Sequence, residues 1–369
     1  MRISIVTPGL KHGGSERVIC ILANEWIKLG HDVRIVIAGS DAECVYHLDE
    51  KVDVYRFGGL KGIKGLAHLA FLRELRKAFK SFKSDVVVSF VRDTTVYTGI
   101  SLLGTRIPMV YSEISDPNIY LKSLKWKFFT HSSARLAKGI VFQTVGAQAC
   151  YGKLAENKSK VILNPFDASK LPEYVFENRR KEIVTAGRLV SSKRHDLMID
   201  SFANISPEFP DYIFRIYGDG PLKDDLLKKI KQLGLEEKIF VMGSHSDVVQ
   251  KMSGASMFLF ASDYEGLPNA LIEALCIGLP TISTDCSPGG ARELIKNEHN
   301  GLLVECGNVE KMTCAMRLVL SNDELAKKIS VNARKVTERT ECKYIAEQWI
   351  KYIEEICEVS YDKESKQEK

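Results

Sequence analysis

The sequence predicts an α/β protein built as two doubly wound parallel sheets, and three observations carry that prediction. Short apolar runs alternate with amphipathic helical patterns along nearly all of the 369 residues, as β-α-β units require. The rhythm restarts after a polar stretch near the middle of the chain. Charge changes sign at the same place: residues 1–166 hold 24 Lys+Arg against 14 Asp+Glu, whereas 167–369 hold 28 against 33. Two domains are therefore expected, over 1–166 and 167–340, followed by a final helix over about 341–358.

In the first half, the runs Ile3-Ser-Ile-Val, Val33-Arg-Ile-Val-Ile, Val86-Val-Val-Ser-Phe, Met109-Val-Tyr, Ile140-Val-Phe and Val161-Ile-Leu read as buried strands. Pro8-Gly-Leu-Lys-His-Gly13-Gly14 follows the first run and opens a helix whose apolar stripe is Val18, Ile21, Leu22, Trp26 and Leu29. A glycine pair there allows close backbone approach and offers N–H groups to a phosphate or sugar, although a tight turn would use the same glycines. Residues 61–83 form a basic amphipathic helix with seven cations and one acid, in which Leu66, Leu69, Leu72, Leu75, Phe79 and Phe82 recur at helical spacing. Residues 122–129 add a basic aromatic patch. Either segment can be a solvated surface or a contact with an anionic membrane, where each cation contributes about 1 kcal/mol.

Asn164-Pro-Phe-Asp-Ala-Ser-Lys-Leu-Pro172 and the charged stretch to Lys181 read as the linker. The second set of strands is Ile183-Val-Thr-Ala, Tyr212-Ile-Phe-Arg-Ile-Tyr, Ile239-Phe-Val-Met, Met257-Phe-Leu-Phe, Thr281-Ile-Ser and Leu302-Leu-Val. After the first of these, Gly187-Arg-Leu-Val-Ser-Ser-Lys193 brings Arg188 and Lys193 to a strand end, where ligands of open α/β sheets bind and two cations can neutralise a diphosphate. Tyr217-Gly218-Asp-Gly-Pro and Gly243-Ser244-His245-Ser-Asp border the same edge and either hold a base or turn the chain.

The densest motif is Ala261-Ser-Asp-Tyr-Glu265-Gly-Leu-Pro-Asn-Ala-Leu-Ile-Glu273, two glutamates eight apart around a Gly266-Leu267-Pro268-Asn269 helix start. Pro268 suits the first helical turn, and Glu273 lies about 7 Å further along the axis. A helix start flanked by two carboxylates accommodates a sugar–diphosphate–ribose.

Composition narrows the classes further. The chain has 45% hydrophobic and 27% charged residues and opens directly into a strand, so it is expected to be cytoplasmic and not to span a membrane. The nine cysteines include no C-x-x-C pair and read as buried or incidental thiols; the eight histidines lack paired metal spacing. No D-x-D triplet occurs, so metal-independent chemistry without a cofactor is expected. No nucleic-acid module is recognisable.

Together, Gly13-Gly14-Ser-Glu-Arg-Val, Ala186-Gly-Arg-Leu-Val-Ser-Ser-Lys193, Tyr217-Gly-Asp-Gly-Pro-Leu, Glu265 to Glu273, Ser287-Pro-Gly-Gly-Ala-Arg-Glu-Leu-Ile295 and Asn300-Gly-Leu-Leu-Val304 resemble the retaining glycosyltransferases of family 4. The resemblance covers nearly the whole chain. It implies the GT-B fold, two Rossmann-like domains facing a central cleft, with the last helix packing back on the first domain. It also implies that Arg188 and Lys193 bind the donor diphosphate, that Glu265 with the amides of Gly266 and Leu267 holds the sugar, and that Glu273 takes the ribose. The Gly13-Gly14 loop would close on the donor, and residues 243–246 would border the base. Glu113 stands where many relatives place a histidine near the sugar.

The function expected from this is retaining transfer of a hexose or N-acetylhexosamine from a UDP-sugar to a lipid-linked glycan in polysaccharide biosynthesis, on the cytoplasmic face of the inner membrane. A nucleotide-sugar epimerase of the same fold and a non-catalytic subunit of a glycan-assembly complex are the alternatives.

Overall fold

The computed structural model describes residues 1–10, 13–39, 44–58, 64–174 and 176–365. The chain divides into one unit formed by Met1–Pro165 with the stretch from Cys342 onward, and a second formed by Phe166–Glu341. It crosses between them twice. The two crossings meet where the Phe166 N–H donates to the Thr340 carbonyl at 2.6 Å.

The first unit holds seven strands: β1 (Arg2–Thr7), β2 (Asp32–Gly39), β3 (Asp53–Gly58), β4 (Val86–Ser89), β5 (Met109–Glu113), β6 (Gly139–Phe142) and β7 (Ser159–Val161). They form one parallel sheet in the order β3-β2-β1-β4-β5-β6-β7. Helices cover both faces of a parallel sheet, so its central strands are apolar throughout: Ile3, Ile5, Val36 and Val88 are fully buried. The second unit holds β8 (Arg180–Ala186), β9 (Ile213–Tyr217), β10 (Ile239–Gly243), β11 (Ala255–Phe260), β12 (Thr281–Thr284) and β13 (Leu302–Val304). Their order is β10-β9-β8-β11-β12-β13, again all parallel. In both units the strand order reverses beside the first strand, between β1 and β4 and between β8 and β11.

Three details depart from the sequence expectations. Strand β3 has no apolar run, because it is the sheet edge and only partly covered. It is held by the Arg34–Asp53 ion pair across the β2–β3 register and by Arg34 stacking 4.6 Å from the Phe82 ring. Strand β7 begins two residues before the apolar run at Val161. On helix Lys64–Phe82 the buried face is Phe71, Leu75, Ala78 and Phe79, while Leu66 and Leu69 are exposed. The lysine at position 61 lies outside the described residues.

Helix Cys342–Ser365 packs within the first unit. Its Trp349 ring stacks edge-on against Trp26 at 6.1 Å, and the Tyr352 hydroxyl accepts from the Ile140 amide at 2.9 Å and donates to the Lys158 carbonyl at 2.8 Å. Among the described residues no helix is long and apolar enough to cross a membrane.

Candidate active site

A ligand of an open parallel sheet sits beyond the carboxyl ends of the strands where their order reverses, because the loops diverge there and leave a crevice. In the second unit that point lies between β8, which runs into Gly187–Lys193, and β11, which runs into Ala261–Glu265. The loops are joined directly. The Asp263 amide donates to the Ser192 carbonyl at 2.8 Å, and so does the Ser262 hydroxyl, also at 2.8 Å. Ser262 also reaches Glu265 Oε1 at 3.3 Å.

On this frame Lys193 Nζ forms an ion pair with Glu265 Oε1. Both side chains are 18% exposed, so the pair is shielded but open to a ligand at its outer edge. The Lys193 ammonium also lies 5.0 Å from the Phe260 ring centre. Arg188 projects from the same loop, is exposed, and makes no ion pair among the described residues. Arg194 takes a left-handed backbone, φ 40°, and its guanidinium bridges Asp196 and Asp263, fixing the turn that aims Lys193. Next to it His195 is buried with Nδ1 unpartnered; burial, and then the Lys193 charge, push its imidazole down to about 4.

Glycines let these loops approach one another. A Cβ on Gly218 would sit 1.9 Å from the Gly187 carbonyl oxygen, so only glycine lets the loop after β9 lie against the loop carrying Arg188. Gly218 thus shapes the scaffold, and its amide donates to the Gly243 carbonyl at 2.8 Å. Ser244 is exposed, and His245 bonds the Met242 carbonyl at 3.1 Å while packing edge-on against Tyr217. A Cβ on Gly290 would meet the Gly266 carbonyl oxygen at 2.1 Å, so Gly290 seats the Gly266 turn before helix Asn269–Cys276.

That helix begins one residue later than the proline rule suggested. Pro268 is its N-cap, with an extended backbone, and its carbonyl accepts from Leu271 and Ile272. The Leu267 side chain is buried, Asn269 is half-buried, and Glu273 is buried on the helix. Glu265, Gly266 and the helix start therefore line the reversal point, with Glu273 behind them.

In the first unit the Gly13 amide donates to the Tyr46 hydroxyl at 3.2 Å, and that hydroxyl donates to the Gly13 carbonyl at 3.0 Å. Gly13 caps helix Gly14–Lys28 with an extended backbone. Glu113, at the end of β5, is 2% exposed and committed to the protein. It accepts from Arg92 at 2.5 Å, Tyr151 at 2.5 Å, Tyr111 at 2.7 Å and Ser115 at 2.7 Å. Burial opposes its charge, but the Arg92 guanidinium prevails and holds the carboxyl below its usual range. A sugar contact through Glu113 is not what this geometry supports: its oxygens are occupied by internal donors.

Sequence reasoning passed over Ser262, Arg194 and Tyr46. Ser262 lay inside the quoted motif, but its partner Ser192 is 70 residues away, and the pairing of Tyr46 with Gly13 is equally non-local. No local signal marks such contacts. Among the described residues no group of three or more His, Cys, Asp or Glu side chains is placed to hold a metal ion.

Residues 12–170 match the family model described as Glycosyltransferase Family 4, and residues 168–336 match the model described as Glycosyl transferases group 1. The chain is 30% identical over 363 residues to a GalNAc-alpha-(1->4)-GalNAc-alpha-(1->3)-diNAcBac-PP-undecaprenol alpha-1,4-N-acetyl-D-galactosaminyltransferase of Campylobacter jejuni, covering 96% of this chain and 99% of the relative. It is 28% identical over 208 residues to a poly(ribitol-phosphate) alpha-N-acetylglucosaminyltransferase of Staphylococcus aureus, covering 53% and 42%. Among solved structures, Anabaena HepE in complex with UDP and glucose superposes with a TM-score of 0.81 at 19% identity, covering 96% of this chain and 100% of that one. TarM superposes with a TM-score of 0.78 at 15% identity, covering 95% and 98%. Both likenesses show a shared fold.

Proposed function

Because the chain belongs to the family 4 glycosyltransferases and has their GT-B fold, we propose that it transfers a hexose or N-acetylhexosamine from a UDP-sugar to a hydroxyl of a lipid-linked glycan, with retention at the anomeric carbon. The observation that carries this reading is the Lys193–Glu265 pair, held at the strand-order reversal of the second unit beside Arg188. A diphosphate needs cations and a sugar needs an acceptor for its hydroxyls; this site offers both within one hydrogen-bonded frame.

In this reading Arg188 and Lys193 take the diphosphate, Arg188 as a planar fork and Lys193 as a mobile point charge. Glu265 accepts from the sugar hydroxyls, the turn at Gly266 and Leu267 supplies backbone contacts, and the helix from Asn269 adds its positive end. Glu273 takes the ribose, and residues 243–245 border the base. No side chain acts as nucleophile. The acceptor oxygen attacks the anomeric carbon on the face the diphosphate leaves, the bond to the diphosphate oxygen breaks, and that oxygen receives the acceptor's proton. Charge neutralisation by Arg188 and Lys193 makes the reaction metal-independent and leaves no role for a cofactor. UDP as the nucleotide is supported by the complexes of HepE and TarM, and a lipid-linked acceptor by the undecaprenol-linked substrate in the name of the Campylobacter relative.

Such an acceptor sits at a membrane surface, here the cytoplasmic face of the inner membrane. Leu124 is 88% and Phe128 66% exposed on helix Leu124–Leu136, between Lys122, Lys125 and Lys127. Two exposed apolar anchors among cations support peripheral contact with anionic lipid, to which helix Lys64–Phe82 adds exposed Leu66 and Leu69.

The deciding experiment incubates a panel of UDP- and GDP-sugars with and without lipid-linked acceptor, following nucleotide release and product mass for the wild type and Glu265→Ala. Acceptor-dependent UDP release with one added sugar, lost in the variant, is expected. Donor conversion without acceptor would instead mean an epimerase, and binding without turnover a non-catalytic subunit.

A further inference from the structure

Two thiols in the first unit lie close together and next to the Gly13 turn. Cys20, on helix Gly14–Lys28, is buried, and its Sγ is 3.7 Å from that of Cys44. Cys44 is half-buried, and its thiol donates to the Tyr46 carbonyl at 3.1 Å. The Tyr46 hydroxyl in turn holds both the amide and the carbonyl of Gly13. Residues 44–46 therefore connect the sulfur pair to the glycine turn through one short stretch of backbone.

We propose that Cys20 and Cys44 are a reversible oxidation site, converted by a peroxide into a disulfide that fixes the Tyr46 clamp on the Gly13 turn. The sulfurs need to close from 3.7 Å to about 2.05 Å, a small movement for two side chains already in contact. Accessibility orders the steps. The half-buried Cys44, as thiolate, attacks one peroxide oxygen, breaking the O–O bond and becoming a sulfenic acid as hydroxide leaves. Cys20 then attacks the Cys44 sulfur, its proton leaves with the sulfenic oxygen as water, and the S–S bond forms. Two thiols and one hydrogen peroxide thus give one disulfide and two waters, the two electrons passing from sulfur to peroxide. Burial, and then the nearby Cys44, push the Cys20 thiol well up, so it stays protonated until its partner is activated. The site stands whether or not the transferase reading holds; only an effect on transfer rests on that reading.

The test treats the full-length protein with hydrogen peroxide, maps disulfides by mass under non-reducing conditions, and follows amide hydrogen exchange at residues 13–17. A Cys20–Cys44 cross-linked peptide lacking two hydrogens, reversed by dithiothreitol and accompanied by slower exchange at those amides than in the reduced protein, is expected. Cys44→Ser and Cys20→Ala should each abolish both changes, and the half-buried Cys44 keeps the test available if the buried position tolerates no change. Oxidation of the exposed Cys306 and Cys314 with no Cys20–Cys44 cross-link would overturn the proposal. So would a cross-link that leaves exchange at residues 13–17 unchanged. Neither readout uses turnover, so failure of the transferase reading would show separately in the sugar panel.

Discussion

Lys193 and His195 lie two residues apart and do opposite things with charge. In the proposed transfer Lys193 is the preorganised donor where negative charge develops; removing such a donor costs roughly 2.7–4 kcal/mol, or about a hundredfold to a thousandfold in kcat. Lys193→Ala should show that loss with the fold intact by circular dichroism, and near-wild-type turnover would remove the lysine from the reaction. His195 is neutral because it is buried and faces that lysine, with its imidazole at about 4 against an ordinary 6.5. Below pH 6.5 the unfolded chain takes up a proton that the folded chain refuses, so stability falls as pH drops towards 4 and then levels, by up to about 3 kcal/mol. Subtracting the pH–stability curve of His195→Asn from that of the wild type should isolate this slope; parallel curves would mean the histidine takes no part. Glu113 behaves differently again. Its charge satisfies a buried Arg92, so Glu113→Gln should leave that cation uncompensated and cost about 3–5 kcal/mol in denaturant unfolding. Lys193 and Glu265 were legible in the sequence because their motifs are local. Glu113 was legible only as a position, since two of its four donors, Arg92 and Tyr151, come from other segments of the chain.

At the level of elements, legibility followed burial. The central strands, covered on both faces, read as continuous apolar runs; edge strand β3 did not, because Asp53 and Arg56 are part of it and, beside its ladder to β2, an ion pair and cation–π contacts help to hold it. Helix Lys64–Phe82 shows the converse difficulty. Its apolar residues nearly encircle it, so periodicity alone did not separate the buried Phe71 from the exposed Leu66. The exposed remainder makes an experimental claim. Leu124→Glu with Phe128→Glu should abolish flotation with anionic vesicles while shifting stability by no more than about 0.5 kcal/mol, because neither side chain is packed in the core. Equal recovery of the wild type with neutral and anionic vesicles, or none with either, would defeat charge-driven contact.

At the scale of the whole molecule, each unit has its own sheet and its own apolar core, that of the second including Ile183, Phe202, Phe214, Met257 and Ile282. The residues assigned to the diphosphate, sugar and ribose all lie in the second unit. A fragment spanning 166–341 should therefore unfold cooperatively and bind UDP within about tenfold of the full chain, a difference of about 1.4 kcal/mol. Calorimetric titration of the two proteins checks this, and loss of UDP binding by a folded fragment would mean that the nucleotide needs the first unit as well.

The paired crossing at Phe166 and Thr340 has a consequence for protein engineering. Because the chain enters and leaves the second unit at one clipped point, that unit is continuous in sequence between the two parts of the first, with its two ends already adjoining. Two junctions, one after Pro165 and one before Cys342, would exchange the second unit, to which the proposed function assigns the nucleotide sugar, for a relative's while leaving the terminal helix and the seven-stranded sheet as they are. The two adjoining ends let either unit be replaced at that seam without redesigning the other's core.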